Sequence, residues 1–179
     1  KRYIREERLW ELVEIRCRAH PAMLNGLRRF EEYIGFMELH DPISRNGAMF
    51  YTGPETYNRP VFERYHSRIM NRYVPYSDRA VLFSDSPGKP YSRSYSEEFH
   101  IARKNGYTPV VVTPFGPVPA ELDEVYPLSQ SLFPMNTDRE TEERSLSLTM
   151  EFLENYGFKE TVKFENIEDT ESIEYDGDL

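Results

Sequence analysis

Two short unbroken apolar runs, Ala80-Val81-Leu82-Phe83 and Pro109-Val110-Val111-Val112, set the tightest limit on how this chain can fold. Runs of this length between turn signals fit strands covered on both faces, the habit of parallel strands. Parallel strands need a crossover, and the intervening residues supply one: Ser94 or Ser96 can cap a helix that runs to Lys104 and closes at Asn105-Gly106. The resulting βαβ unit should be right-handed. The pattern predicts further helices over 3–18, from Pro21 to near Gly35, and over 61–73, with a short strand at 48–51. A short helix should start at Pro119, and a Thr137–Glu140 capping box should open a long helix that stops near Gly157. The fold class expected is α/β: a three-layer α/β/α domain with a short parallel-rich sheet over 38–159. A helical lead-in over 1–37 precedes it, and 160–179 reads as an acidic tail or linker.

Composition narrows the function classes. Cys17 is the single cysteine among 179 residues, so an internal disulfide and a cysteine-built structural zinc site are excluded. No stretch approaches the ~18 uninterrupted apolar residues of a membrane span, and the first residues are charged helix formers rather than a signal peptide. A soluble, cytoplasmic chain without a membrane partner is expected. It opens at Lys1-Arg2-Tyr3 and reads as a piece of a longer protein with flanking domains. Metal-ligand spacings, a dinucleotide fingerprint, a Walker lysine and a nucleophile elbow are all missing, and His20, His40, His66 and His100 fall on different predicted elements. Neither metal nor cofactor is expected. The net charge of -9 is concentrated in residues 160–179, which carry -7, leaving the rest nearly neutral at -2. Arg64, Arg68 and Arg72 are spaced four apart, so one helix face could meet successive phosphates or could simply be solvated.

The densest candidate site is the stretch from Ser84 to Glu97, just past the first apolar run. Ligands of open α/β sheets bind at the carboxyl ends of strands. This stretch offers Ser84, Asp85, Lys89, Tyr91, Arg93, Ser94 and Glu97 beside a helix start, a set suited to an anionic or strongly polar ligand, though a polar connecting loop has the same composition. A second loop, 113–122, follows the other run and should reach the same sheet edge, bringing Phe115 and Gly116 to a shared pocket stiffened by three prolines. Glu121 there could be an acid or base, or a carboxylate favoured by a helix N-terminus.

These motifs resemble archaeosine synthase, the archaeal tRNA-modifying paralogue of tRNA-guanine transglycosylase, in the domain that follows its transglycosylase-like barrel. The resemblance covers most of 9–157. It is carried by Leu9-Trp10-Glu11-Leu12-Val13-Glu14, His20-Pro21, Glu32-Tyr33, Phe50-Tyr51-Thr52-Gly53 and Arg64-Tyr65-His66. Most specific are Lys89-Pro90-Tyr91 with Ser94, then Gly116-Pro117-Val118-Pro119, Glu121-Leu122 and Tyr126-Pro127. It implies a uracil-DNA-glycosylase-like α/β fold. It also implies a role in adding an amine, free lysine or another donor, across the nitrile of 7-cyano-7-deazaguanine in tRNA. The family pattern places a cysteine where Asp85 stands and a histidine where Glu97 stands. As an enzyme, the chain would use Asp85, Lys89, Ser94 and Glu97 catalytically and Ser84, Tyr91, Arg93, Phe115 and Gly116 for substrate, with Arg64, Arg68 and Arg72 on RNA. As a binding module, it would hold tRNA or a partner domain without chemistry. Glycosylase chemistry is a third reading, by fold analogy alone.

Overall fold

The structure, a computed structural model, describes residues 1–134 and 136–165; most of the expected acidic tail lies outside them. The helices are α1 Arg2–Arg5, α2 Leu9–Cys17, α3 Pro21–Arg28, α4 Ile34–Glu38, α5 Pro60–Arg72, α6 Tyr91–Ser94, α7 Ser96–Lys104 and α8 Arg139–Tyr156. The strands are β1 Met49–Phe50, β2 Arg79–Ser84, β3 Thr108–Thr113, β4 Gly116–Pro119, β5 Ser131–Leu132 and β6 Glu160–Lys163. Two compact units form. The first comprises Lys1–Tyr73 and Glu124–Arg144; the second comprises Val74–Asp123 and the chain from Ser145.

The first unit is mostly helical, with β1 and β5 paired in parallel. The helix expected over 3–18 is interrupted at Glu7, whose φ of 56° no helix accommodates. Pro21 starts α3 as expected, and the His20 imidazole accepts from Ala22 N–H at 3.1 Å. In α2 the apolar periodicity misleads. Glu11 and Glu14 are buried at 1% and 0% exposure, whereas Leu9 and Ile15 are about half exposed. Arg59, itself 1% exposed, reverses the face: its Nε and Nη2 donate to Glu14 at 2.6 and 2.8 Å, and its Nη1 lies 3.6 Å from Glu11. Thr56 and Thr52 also donate to Glu14, and Arg45 donates to Glu11 at 2.6 Å. Burial pushes the Glu11 carboxyl up, but the Arg45 hydrogen bond and the Arg59 charge outweigh it, so its pKa ends below the ordinary value. Glu55 is likewise held low against burial by hydrogen bonds from Arg18 and Arg28.

Helix α5 buries Val61, Phe62, Tyr65 and Ile69 as its periodicity requires. Arg64 departs from the expected open stripe. It is buried, donating to the Glu38 carboxylate at 3.1 Å and to the Glu38 and Asp41 carbonyls at 2.8 and 3.2 Å. The end of α4 leaves carbonyls without helical partners, and the Arg64 fork supplies donors to them. Arg68 and Arg72 remain exposed.

The second unit is a four-stranded sheet in the order β4-β3-β2-β6. Strands β2 and β3 pair in parallel over Ala80–Ser84 and Thr108–Val112, the arrangement their apolar runs imply. Adjacent residues Ala80 and Val81 are both fully buried, so both faces of β2 are covered. On one face, Phe99 of α7 meets Phe83 edge-on at 5.0 Å. Helix α7 closes at Gly106, whose φ of 77° favours glycine. The Pro-rich second loop is not an open wall. Thr113 turns at Gly116, φ 102°, into β4, which runs antiparallel to β3. Pro117 and Pro119 are tolerated there because β4 is the sheet edge, where an absent N–H costs no ladder bond.

The segment from residue 160 also departs from a free tail. Glu160–Lys163 forms β6, parallel to β2. Its apolar content is low, but Arg79 donates to Glu160 at 2.7 Å, Lys159 pairs with Asp78 at 2.6 Å, and Phe164 stacks on Phe83 at 4.7 Å. The chain thus leaves β2 through α7 to β3 on one side and returns through α8 to β6 on the other. Right-handed crossovers, the rule for parallel strands, would lay helices on opposite faces of the sheet. The class is α/β with a parallel-rich sheet, in accord with the α/β/α layering expected. Helix α8 is capped by Asp138 rather than Thr137: Asp138 accepts from Thr141 N–H at 2.9 Å, one residue later than the expected box. Among the described residues, no helix is long and apolar enough to cross a membrane.

Candidate functional site

The carboxyl end of β2 is where the sheet order reverses between β3 and β6, the position at which open α/β sheets bind ligands. The stretch emerging there is tightly organised. Tyr95 donates its hydroxyl to the Ser84 carbonyl at 2.9 Å, with its ring against Phe83 and Phe99 at 5.2 and 5.8 Å. Tyr91, fully buried, donates its hydroxyl to the Asp85 carboxylate. Ser94 donates to the Gly88 carbonyl at 3.0 Å. A Cβ on Gly88 would collide with the Ser94 hydroxyl, so a side chain there would turn Ser94 away from this contact. From below, the buried Asp123 carboxylate accepts from Ser92 N–H at 2.7 Å and anchors α6.

Lys89 sits on this scaffold with Nζ 5.6 Å from the Tyr91 ring centroid. Burial pulls its amine pKa down to about 8, and the Asp85 charge limits the fall. The Tyr95 hydroxyl is pushed up by burial, then by the negative charges of Asp85 and Glu98. Asp85, Lys89, Tyr91 and Tyr95 therefore form one electrostatically connected cluster, with Ser84 and Ser94 tied into its backbone. An amine that gains and loses a proton near neutral pH, next to a carboxylate fixed by a phenol, is equipped for acid and base chemistry on a polar substrate.

The remaining sequence candidates divide. Arg93 and Glu97 are exposed, on α6 and on the first turn of α7. Phe115 is fully buried, so its ring belongs to the core rather than to a ligand-facing wall. Gly116 serves the β3–β4 turn, where Thr113 donates to its carbonyl at 2.9 Å. Glu121 pairs with Arg103 at 3.0 Å. Tyr95 and Asp123 were not among the sequence candidates. Tyr95 lies within the dense stretch, but Asp123 carries no local signal, because its partner is 31 residues away. Among the described residues, no group of three or more His, Cys, Asp or Glu side chains could hold a metal ion.

A small parallel-rich α/β unit with a lysine–carboxylate cluster at its switch point is the class of domain that the fold defines, and comparison with known proteins gives its family. Residues 62–172 match the family described as domain of unknown function DUF5591. The chain is 39% identical over 137 residues to a tRNA-guanine(15) transglycosylase of Methanococcus maripaludis strain C7, covering 75% of this chain and 20% of the relative. It is 41% identical over 147 residues to the protein of that name from Methanothermobacter thermautotrophicus, covering 78% and 22%. For the Methanococcus maripaludis strain C6 protein, the values are 36% over 171 residues, 93% and 24%. The chain thus spans only about a fifth to a quarter of the length of these relatives. No solved structure gives a significant match. The chain belongs to the DUF5591 family and to the archaeosine synthase relatives that its Lys89-Pro90-Tyr91 motif resembles.

Proposed function

We propose that this chain is the catalytic α/β part of a cytoplasmic tRNA-modifying protein of archaeosine biosynthesis. It would add an amine, free lysine or another donor, to the nitrile of 7-cyano-7-deazaguanine in tRNA. The reading is carried by one observation: Lys89, with a pKa near 8, held beside the Tyr91-bound Asp85 at the carboxyl end of β2. The names of the relatives support tRNA as the substrate. With Asp85 at the family's cysteine position, no thioimidate forms and attack is direct. The donor nitrogen bonds to the nitrile carbon while one C–N π bond opens onto the nitrile nitrogen. The Lys89 ammonium protonates that nitrogen, and the resulting neutral amine takes the surplus proton from the attacking nitrogen. The product is an amidine, and Lys89 is restored. Asp85 keeps the ammonium charged enough to donate, and Tyr91 fixes Asp85.

A second reading, a non-catalytic tRNA- or partner-binding module, is favoured by the exposure of Glu97 at the family's histidine position and by the open Arg68 and Arg72. The test is mass spectrometry of nucleosides after the full-length parent protein meets nitrile-bearing tRNA and lysine. Turnover that falls roughly 10²–10⁴-fold in Lys89→Ala supports the enzyme. Absence of turnover, with tRNA binding retained, selects the module.

A further inference from the structure

We propose that a cleft in the first unit is a binding site for a small zwitterion, a free α-amino acid. The cleft has a volume of about 190 Å³ and is lined by Arg28, Glu31, Glu55, Asn58, Glu140 and Arg144. That is room for the charged head of a small molecule.

The charges of the lining are unequally used. Glu55 is already neutralised, one oxygen taken by Arg18 at 2.7 Å and the other by Arg28 at 2.8 Å. Among the described residues, the side chains of Glu31, Asn58, Glu140 and Arg144 make no hydrogen bond or ion pair. Arg144 instead lays its guanidinium over the Tyr57 ring, 4.5 Å from the centroid. Such stacking holds the planar fork in place and leaves its N–H edge for a carboxylate. One oriented cation and a neutral amide therefore share a small cleft with two uncommitted carboxylates.

This combination rejects simple ions. A phosphate or lone carboxylate would approach Glu31 and Glu140, and a bare cation would approach Arg28 and Arg144. A molecule bearing both charges a few ångströms apart satisfies both sets, with its carboxylate forked onto Arg144 beside Asn58 and its ammonium donating to Glu31 or Glu140. The inference uses none of the residues or chemistry assigned to Lys89 and stands or falls apart from it.

Calorimetric titration of this chain with L-alanine, L-glutamate and L-lysine, and with propionate and propylamine as half-ligands, tests the proposal. At least one amino acid should bind, with each half-ligand at least about tenfold weaker. Arg144→Met should weaken binding roughly 10–100-fold, the worth of a charge-assisted hydrogen-bond pair. Glu140→Gln and Asn58→Ala should each weaken it by a smaller factor, and they carry the test if Arg144→Met does not fold by circular dichroism. The proposal is overturned by any of three results: no binding of any amino acid at about 10 mM, a half-ligand that binds as well as the amino acid, or affinity unchanged in the folded variants.

Discussion

Replacing Arg59 by methionine should destabilise the first unit as much as truncating a fully buried aromatic residue there. Arg59 is almost wholly buried and donates to Glu14 at 2.6 and 2.8 Å and to the Phe50 carbonyl at 3.0 Å, with Glu11 3.6 Å away. Methionine fills much of the same volume, so cavity formation contributes little, and the loss is that of the charge. Two buried carboxylates are left with Arg45, Thr52, Thr56 and the Phe50 backbone N–H as their remaining donors. Breaking a buried pair from one side costs about 3–5 kcal/mol, a large share of the ~5–15 kcal/mol that holds a domain folded. Glu14→Gln should cost less, about 1–3 kcal/mol, because the amide oxygen still accepts and Arg59 keeps Glu11. The double variant Glu14→Leu with Arg59→Met should fall short of the sum of its single variants by about 1–3 kcal/mol, since no uncompensated Glu14 charge remains. Urea unfolding followed by Trp10 fluorescence measures this cleanly. Trp10 is the single tryptophan, lies in this unit and donates its indole N–H to Asp41 at 2.7 Å. An Arg59→Met loss below about 1 kcal/mol, or strict additivity in the double variant, would refute the claim that this ion cluster holds α2 in place.

Acid should weaken the same unit. The folded-state pKa values of Glu11 and Glu55 lie below their ordinary values, so their stabilisation is present above the unfolded value of about 4.3 and is lost as pH falls through the folded values. Asp41, raised by burial, works in the opposite sense and offsets part of the loss. The Trp10-detected midpoint should drop below about pH 4, and less steeply in Glu55→Gln; a midpoint flat to about pH 3 would contradict this assignment. Lys89 should react with acetic anhydride in competitive labelling with an apparent pKa of about 8. In Asp85→Asn the value should fall further, and a rise would show that Asp85 does not act on this amine. Finally, Arg68→Glu with Arg72→Glu should weaken tRNA binding and flatten its salt dependence; unchanged binding would assign that face to solvent.

The parallel pair β2–β3, the helix between them and the placement of Lys89 beyond β2 are legible in the sequence, because each depends on neighbours in the chain. An apolar run bounded by turns can only be buried, and Asn105-Gly106 ends a helix wherever it stands. The same local logic gives Pro21 its place at the start of α3 and Val61, Phe62, Tyr65 and Ile69 their buried face. What the sequence does not contain is which polar groups meet at a distance. Glu11 and Glu14 read as the solvated side of α2 until Arg59, some 45 residues on, supplies the charge that makes their burial tolerable. Arg64 reads as one member of an open stripe until the end of α4 presents carbonyls to it, and Glu160–Lys163 reads as tail until Arg79 and Asp78 draw it alongside β2. At the site, Lys89 is visible as a residue, but its pKa near 8 arises only when burial removes water and Asp85 is held beside it by Tyr91. Hydrophobic periodicity is a property of consecutive residues, whereas desolvation and ion pairing depend on what the finished fold brings together.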